Sequence, residues 1–300
     1  MRCDKCGREA VLCQKYSGQH LCREHFIADV EAKAKREIRS HHGMRSGDHI
    51  AIALSGNAQG YAVLIFLKKL TAQRRDVRIS AITIDEGTAS DPAAAQAVKM
   101  AESEGVPYHV GSFKEAFGVT LDEIAQEKGL LVSRQYRKVL CRTLLHRIAR
   151  DHGCTRIAYG LTLDDRARDV LEQMIAGAGE QMIVPHRTTG EFLPAIAPFM
   201  QVPEEEVRMY AEMQGGTCTP AFDSLNDDSL HDTLKTMLEA YDHNHPATRY
   251  ALINLRENLV SAGSKHMDGV ETCPDCGELC TAGICGSCRI RGEFKGEHCT

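Results

Sequence analysis

The strongest periodicity in the chain lies in IAIALSGNAQGYAVLIFL, residues 50–67. Ile50, Ile52 and Leu54 alternate with small residues, which predicts a buried strand. The run Ser55, Gly56, Asn57, Ala58, Gln59, Gly60 predicts a tight turn. Residues 61–70 then carry Leu64, Leu67 and Leu70 on one helical face. A strand, a small-residue loop and a helix in that order aim backbone N–H groups at a phosphate.

The same two periods alternate down the chain. Strands are predicted at 77–85, 107–110 and 155–160, and helices at 93–103 and 163–178. Thr120 and Glu123 have the spacing of a capping box that opens a further helix. Strands alternating with helices predict an α/β fold, a parallel sheet with helices on both faces. Ligands of such sheets sit at the carboxyl ends of the strands. Here those ends carry residues 55–60, then Asp85, Glu86 and Gly87, then residues 160–165. Asn57 tolerates a positive φ, so the backbone cradle is expected to survive at the first of them. Beyond Pro198 the pattern turns helical, over 204–213, 227–241 and 247–260.

The thirteen cysteines change this picture at the two ends. Four lie within the first 22 residues and six from Cys273 onward. Cys3, Cys6, Cys22 and His25 have the spacing of a four-ligand zinc ribbon, and so do Cys273, Cys276, Cys285 and Cys288. The expected organisation is a zinc ribbon over 1–26, a connecting helix over 27–47 and an α/β domain over 48–200. A helical extension over 201–265 and a second ribbon over 266–300 complete it. The pair His41–His42 reads as a solvated helix end.

Net charge is −5 and apolar residues make up 43%, so no global basic field announces nucleic acid. No apolar run is long enough to span a bilayer and the N-terminus lacks a signal-peptide pattern, so a cytoplasmic protein without a membrane partner is expected. Residues 134–150 are the local exception. Arg134, Arg137, Lys138, Arg142, Arg147 and Arg150 occur with no acid between them, over a stripe of Leu140, Leu144, Leu145 and Ile148. A basic helix face of this kind suits a polyanion.

Taken together, these motifs resemble the tRNA 2-thiouridine synthetases of the TtuA type, within the PP-loop ATP pyrophosphatases. The features that carry the resemblance are the Cys3/Cys6/Cys22/His25 ribbon, TIDEG at 83–87, LDD at 163–165, EVRMYAE at 206–212 and the closing CPDCGE…CGSC. The resemblance implies a PP-loop sheet flanked by zinc ribbons, with ATP and magnesium bound at residues matching Ser55, Gly56, Asn57, Gly60, Asp85 and Gly160. It implies adenylation of a tRNA uridine at C2, release of pyrophosphate and replacement of oxygen by sulfur. It also implies three cysteines that bear an iron–sulfur cluster or carry sulfur, and a dimer.

The chain departs from that pattern in three places, one of which turns the family's GHNLDD into Gly160-Leu161-Thr162-Leu163-Asp164-Asp165 and loses its His and Asn. The family loop SGGxDS reads Ser55-Gly56-Asn57-Ala58-Gln59-Gly60, which loses an acid and a hydroxyl. Gap-free alignment back from Gly160 puts the family's CxxC pair on Arg134 and Arg137, whose guanidinium groups cannot ligate iron. Two zinc ions and no iron–sulfur cluster are therefore expected. The favoured reading is a non-catalytic tRNA-binding or partner subunit that works with a catalytic paralogue or a sulfur-carrier protein, in a homo- or heterodimer. Its tRNA contacts would be Arg134, Arg137, Lys138 and Arg142. The alternatives are an active thiolating enzyme that uses Asp165 and Cys218, and a nucleotide-sensing zinc protein that never meets RNA.

Overall fold

The computed structural model describes residues 1–40, 43–88, 92–177, 192–216, 230–263, 271–275, 279–280 and 283–294. The expected features at His41–His42, Cys218 and Cys276 lie outside these. The chain opens with an antiparallel hairpin, β1 (Leu12–Gln14) and β2 (Gln19–Leu21), followed by α1 (Arg23–Ser40). The 50–54 alternation forms β3 (His49–Ala53), and the helix after it, α2 (Ala58–Thr71), begins three residues earlier than its leucine stripe suggests. The cause is local: the Asn57 side chain accepts the Gly60 N–H and caps the helix there.

The core continues through β4 (Arg78–Asp85), α3 (Ala93–Ser103), β5 (Tyr108–Ser112), α4 (Phe113–Phe117), α5 (Leu121–Lys128) and α6 (Leu130–Asp151). Then come β6 (Arg156–Ala158), α7 (Leu163–Ile175) and β7 (Ala195–Ile196). The helices α8 (Glu204–Met213), α9 (Leu230–Asn244) and α10 (Thr248–Gly263) follow. A short pair, β8 (Glu271–Thr272) and β9 (Leu279–Cys280), and α11 (Gly286–Glu293) form the last module.

The five-stranded sheet has the order β5-β4-β3-β6-β7, and every neighbouring pair is parallel. The order reverses between β3 and β6, which opens a crevice at their carboxyl ends. The period-two pattern of β3 sorts its side chains by face. Ile50 and Ile52 pack with Phe26, Val30, Leu64, Leu67 and Tyr210, while Ala51 packs with Leu145 and Ala149 of α6. Among the described residues no helix is long and apolar enough to cross a membrane.

The N-terminal module is fastened to the core by buried carboxylates. Glu206 of α8 accepts from Tyr16 Oη at 2.8 Å and Gln14 Nε2 at 3.3 Å, with Lys33 Nζ 3.7 Å away. Glu31 of α1 takes Lys69 Nζ at 2.6 Å and Tyr210 Oη at 3.3 Å. Burial raises the Glu206 pKa, opposed by Lys33 and these hydrogen bonds. Glu206→Ala strands the half-buried Tyr16 hydroxyl and leaves Gln14 only Asp29 as acceptor, so it should cost about 1 kcal/mol in a urea unfolding titration. A midpoint equal to wild type would show that the network contributes nothing.

Candidate functional site

The loop after β3 turns at Gly56, whose φ is +75°, against the Ala93 carbonyl. Asn57 does not use the positive φ that it can tolerate. Its φ of −93° is extended and its side chain is committed to the cap. Gln59 donates through Nε2 to Glu204 Oε1 at 2.9 Å. Gly160, at the end of β6, abuts the Gln59 backbone so closely that a Cβ would lie 2.9 Å from its carbonyl carbon. Ser55 is exposed beside them. The structure thus brings Ser55, Gly56, Asn57, Gly60 and Gly160 to one crevice.

The acids at the other strand ends are engaged within the protein. Asp85 accepts the Gly87 N–H at 2.9 Å. Glu86 holds Arg137 Nε at 2.6 Å and accepts from Cys141 Sγ at 3.2 Å. The basic helix therefore does carry a compensating acid, contrary to the sequence reading. That acid comes from a strand end 51 residues away and is invisible to local patterning. Burial, then the Glu86 charge, pushes the Cys141 thiol well up, so it stays protonated. Asp165 completes a capping box with Thr162, accepting from its N–H at 2.9 Å and its hydroxyl at 2.8 Å. Asp164 accepts the Glu204 N–H at 2.7 Å and pairs with Arg249 at 3.3 Å. Burial raises the pKa of both Asp164 and Glu204.

One cluster escaped the sequence reading. His146 lies on the apolar side of α6, where its Nδ1 accepts the Leu193 N–H at 2.9 Å and its Nε2 lies 3.1 Å from Tyr159 Oη. Burial, then the charges of Arg142 and Arg150, lowers its pKa to about 4. The Arg142 guanidinium stacks 4.0 Å above the Phe192 ring. The only signal in the sequence was the one-turn spacing of Arg142 and His146. Of the expected tRNA contacts, Lys138 and Arg142 are exposed, while Arg134 and Arg137 are half-buried.

The terminal modules gather metal-type ligands. The ligand atoms of Cys3, Cys6, Cys22 and His25 lie within 4.8 Å of one another, as do those of Cys273, Cys285 and Cys288. Cys3 Sγ and Cys22 Sγ each lie 3.4 Å from His25 Nδ1, a separation that suits one tetrahedral ion. Burial works against ionisation of Cys3, but the backbone N–H groups of Cys22, Lys5 and Cys6 outweigh it and bring the thiol to about 6. In the last module the Cys285 and Cys288 N–H groups point at Cys273 Sγ (3.4 Å) and Cys285 Sγ (3.3 Å). Both donor sets fit a metal, which when bound would supply a fold constraint to these short segments.

Comparison with known proteins agrees with this architecture. Residues 2–27 match the family model of the N-terminal LIM domain of the 2-thiouridine synthetase TtuA. The chain is 27% identical to the tRNA 2-thiolation protein NcsA of Haloferax volcanii, over 97% of this chain and 98% of that one. It is 26% identical to the tRNA-5-methyluridine(54) 2-sulfurtransferase of Pyrococcus horikoshii, over 98% and 95%. The solved structure of the U34-tRNA thiolase NcsA from Methanococcus maripaludis superposes with a TM-score of 0.79 at 26% identity, covering 98% and 96%.

That last structure contains a [4Fe-4S] cluster, which corrects the expectation that iron–sulfur chemistry is foreign to this chain. The expectation rested on one pair of positions, Arg134 and Arg137. Thiolate sets serve zinc and iron–sulfur clusters alike, so the cysteines elsewhere could not exclude iron.

Two outcomes follow from the site's geometry. Cys22→Ser should remove one metal equivalent by elemental analysis for zinc and iron, and lower the thermal midpoint by about 5 °C. Unchanged metal content would remove the N-terminal site. The second concerns pH. Folding keeps His146 neutral down to about 4, whereas the unfolded ring protonates near 6.5. The unfolded state therefore binds the extra proton in between, and stability falls as pH drops through that window, by about 2 kcal/mol from pH 7 to 5. His49 and His109, lowered mainly by burial, act in the same direction. His146→Gln should flatten the slope in urea titrations.

Proposed function

Because the chain belongs to the TtuA/NcsA-type tRNA 2-thiolation family, we propose that it serves tRNA thiolation by binding tRNA as a partner subunit, without adenylating the RNA itself. The observation that carries this reading is the chemistry of the loop. Where an ATP-handling loop of this family would offer a carboxylate and a hydroxyl, Gln59 gives its amide to Glu204 and Gly60 has no side chain. Asp165, in the first turn of α7, is occupied by Thr162. Lys138 and Arg142 present exposed positive charge on α6, with Arg134 half-buried beside them and Arg137 paired with Glu86. Guanidinium groups match phosphate geometry and would position RNA without reading its bases.

An enzymatic reading draws on the names of the relatives, which are thiolases and sulfurtransferases. Ser55 is exposed at the end of β3 to serve it. The two readings separate in one experiment on the full chain. Filter binding to bulk tRNA should show an affinity that falls steeply with salt. Pyrophosphate release from ATP should stay at background with and without tRNA. Release that depends on tRNA and is lost in Ser55→Ala would establish the enzyme instead, and salt-insensitive or absent binding would remove the subunit reading.

A further inference from the structure

The cluster around His146 has a chemistry that the loop and the metal modules leave unused. Its Nδ1 accepts a backbone N–H from Leu193, so the proton of the neutral ring sits on Nε2. That N–H therefore donates to Tyr159 Oη, 3.1 Å away. The tyrosine's own proton is left over, and among the described residues no group accepts it. Burial pushes the Tyr159 pKa up to about 12, so the hydroxyl keeps that proton at every physiological pH. A half-buried donor with no acceptor among the described residues gives an incoming acceptor an advantage.

The surroundings define the acceptor. The charges that act on His146 and Tyr159 are those of Arg142 and Arg150, all positive. Arg142 is exposed, and its guanidinium plane is held over the Phe192 ring. Phe192 in turn meets the His146 ring edge-on, with centroids 4.9 Å apart. Tyr159 immediately precedes Gly160, so the cluster borders the crevice at the carboxyl end of β6. A neutral donor and a fixed guanidinium in a positive field suit an anion rich in acceptor oxygens.

We infer that Tyr159 and Arg142 form a subsite for a phosphate oxygen at the end of β6, with His146 as the residue that positions the tyrosine hydroxyl. The phosphate comes from the RNA backbone or from a bound nucleotide. Its assignment to RNA rests on the tRNA-binding reading above, and the subsite itself does not.

The test uses the full chain with bulk tRNA and, separately, ATP in calorimetry. Tyr159→Phe should weaken binding about tenfold and leave the salt slope unchanged, since it removes a neutral donor. Arg142→Gln should weaken binding and reduce the slope by about 1. His146→Gln, whose amide can accept and donate in the same order, should retain more affinity than His146→Leu at equal thermal midpoints. Weakening toward tRNA alone assigns the phosphate to RNA, and weakening toward ATP alone assigns it to a nucleotide; either supports the subsite. Wild-type affinity for both ligands in Tyr159→Phe overturns it and leaves tRNA binding standing. A wild-type chain that binds ATP but no tRNA overturns the RNA reading and leaves the subsite to the ATP arm. Binding of neither overturns both.

Discussion

The crevice depends on a close approach of two backbones. Strand order reverses between β3 and β6, and at that point Gly160 lies against Gln59 with no space for a side chain. Any other residue at 160 would push the end of β6 away from the loop. The approach sets what each flanking segment can do. Gln59 is turned toward Glu204, Asn57 closes the first turn of α2, and Thr162 starts α7 two residues after the contact. The polar groups of the crevice are therefore organised by the protein's own backbone, whatever ligand enters.

Charge is distributed by the same geometry. Acids from the end of β4, α7 and α8 line the strand ends, and each has a partner: Gly87 for Asp85, Arg137 for Glu86, Arg249 for Asp164, Thr162 for Asp165 and Gln59 for Glu204. Positive charge enters from α6, and also from Arg168 of α7 and Arg249 of α10. Arg137 is spent on Glu86, and Arg142 lies over Phe192. A net acidic chain thus keeps a local positive edge on α6, because the acids at the strand ends are engaged within the protein while Lys138, Arg142 and Arg150 stay exposed.

Much of this was legible in the sequence because it is written in local periods. The Ile50–Leu54 alternation, the Thr120–Glu123 box and helix 204–213 follow from side-chain spacing within a few residues, and the structure forms them as expected. The grouping of Cys3 with Cys6, and of Cys285 with Cys288, was legible for the same reason, since each pair is close in the chain. What was not legible joins distant segments. Glu86 meets Arg137 across 51 residues, Gln59 meets Glu204 across 145, and His146 meets Leu193 across 47. No pattern marks these partners, because each depends on which strand lies beside which. The exclusion of an iron–sulfur cluster rested on Arg134 and Arg137 alone, and the thiolate sets elsewhere record a donor chemistry that zinc and iron clusters share.

Helix α8 shows why the terminal modules belong to the site. Its first turn carries Glu204 and Glu206, two residues apart. Glu204 takes the loop through Gln59, and Glu206 takes the N-terminal module through Tyr16 and Gln14. A metal that orders Cys3, Cys6, Cys22 and His25 therefore bears on the loop through less than one helical turn. The far end is joined in a comparable way. Phe192 packs on the Cys273, Cys285 and Cys288 cluster while it meets Arg142 and His146. Glu293 of α11 also accepts from Tyr136 Oη at 2.6 Å and Lys128 at 2.9 Å, which fixes that module against α6. Each end of the chain thus reaches a different wall of one crevice. Rigid short modules are useful there because sheet packing alone does not determine where Phe192 or the first turn of α8 must lie.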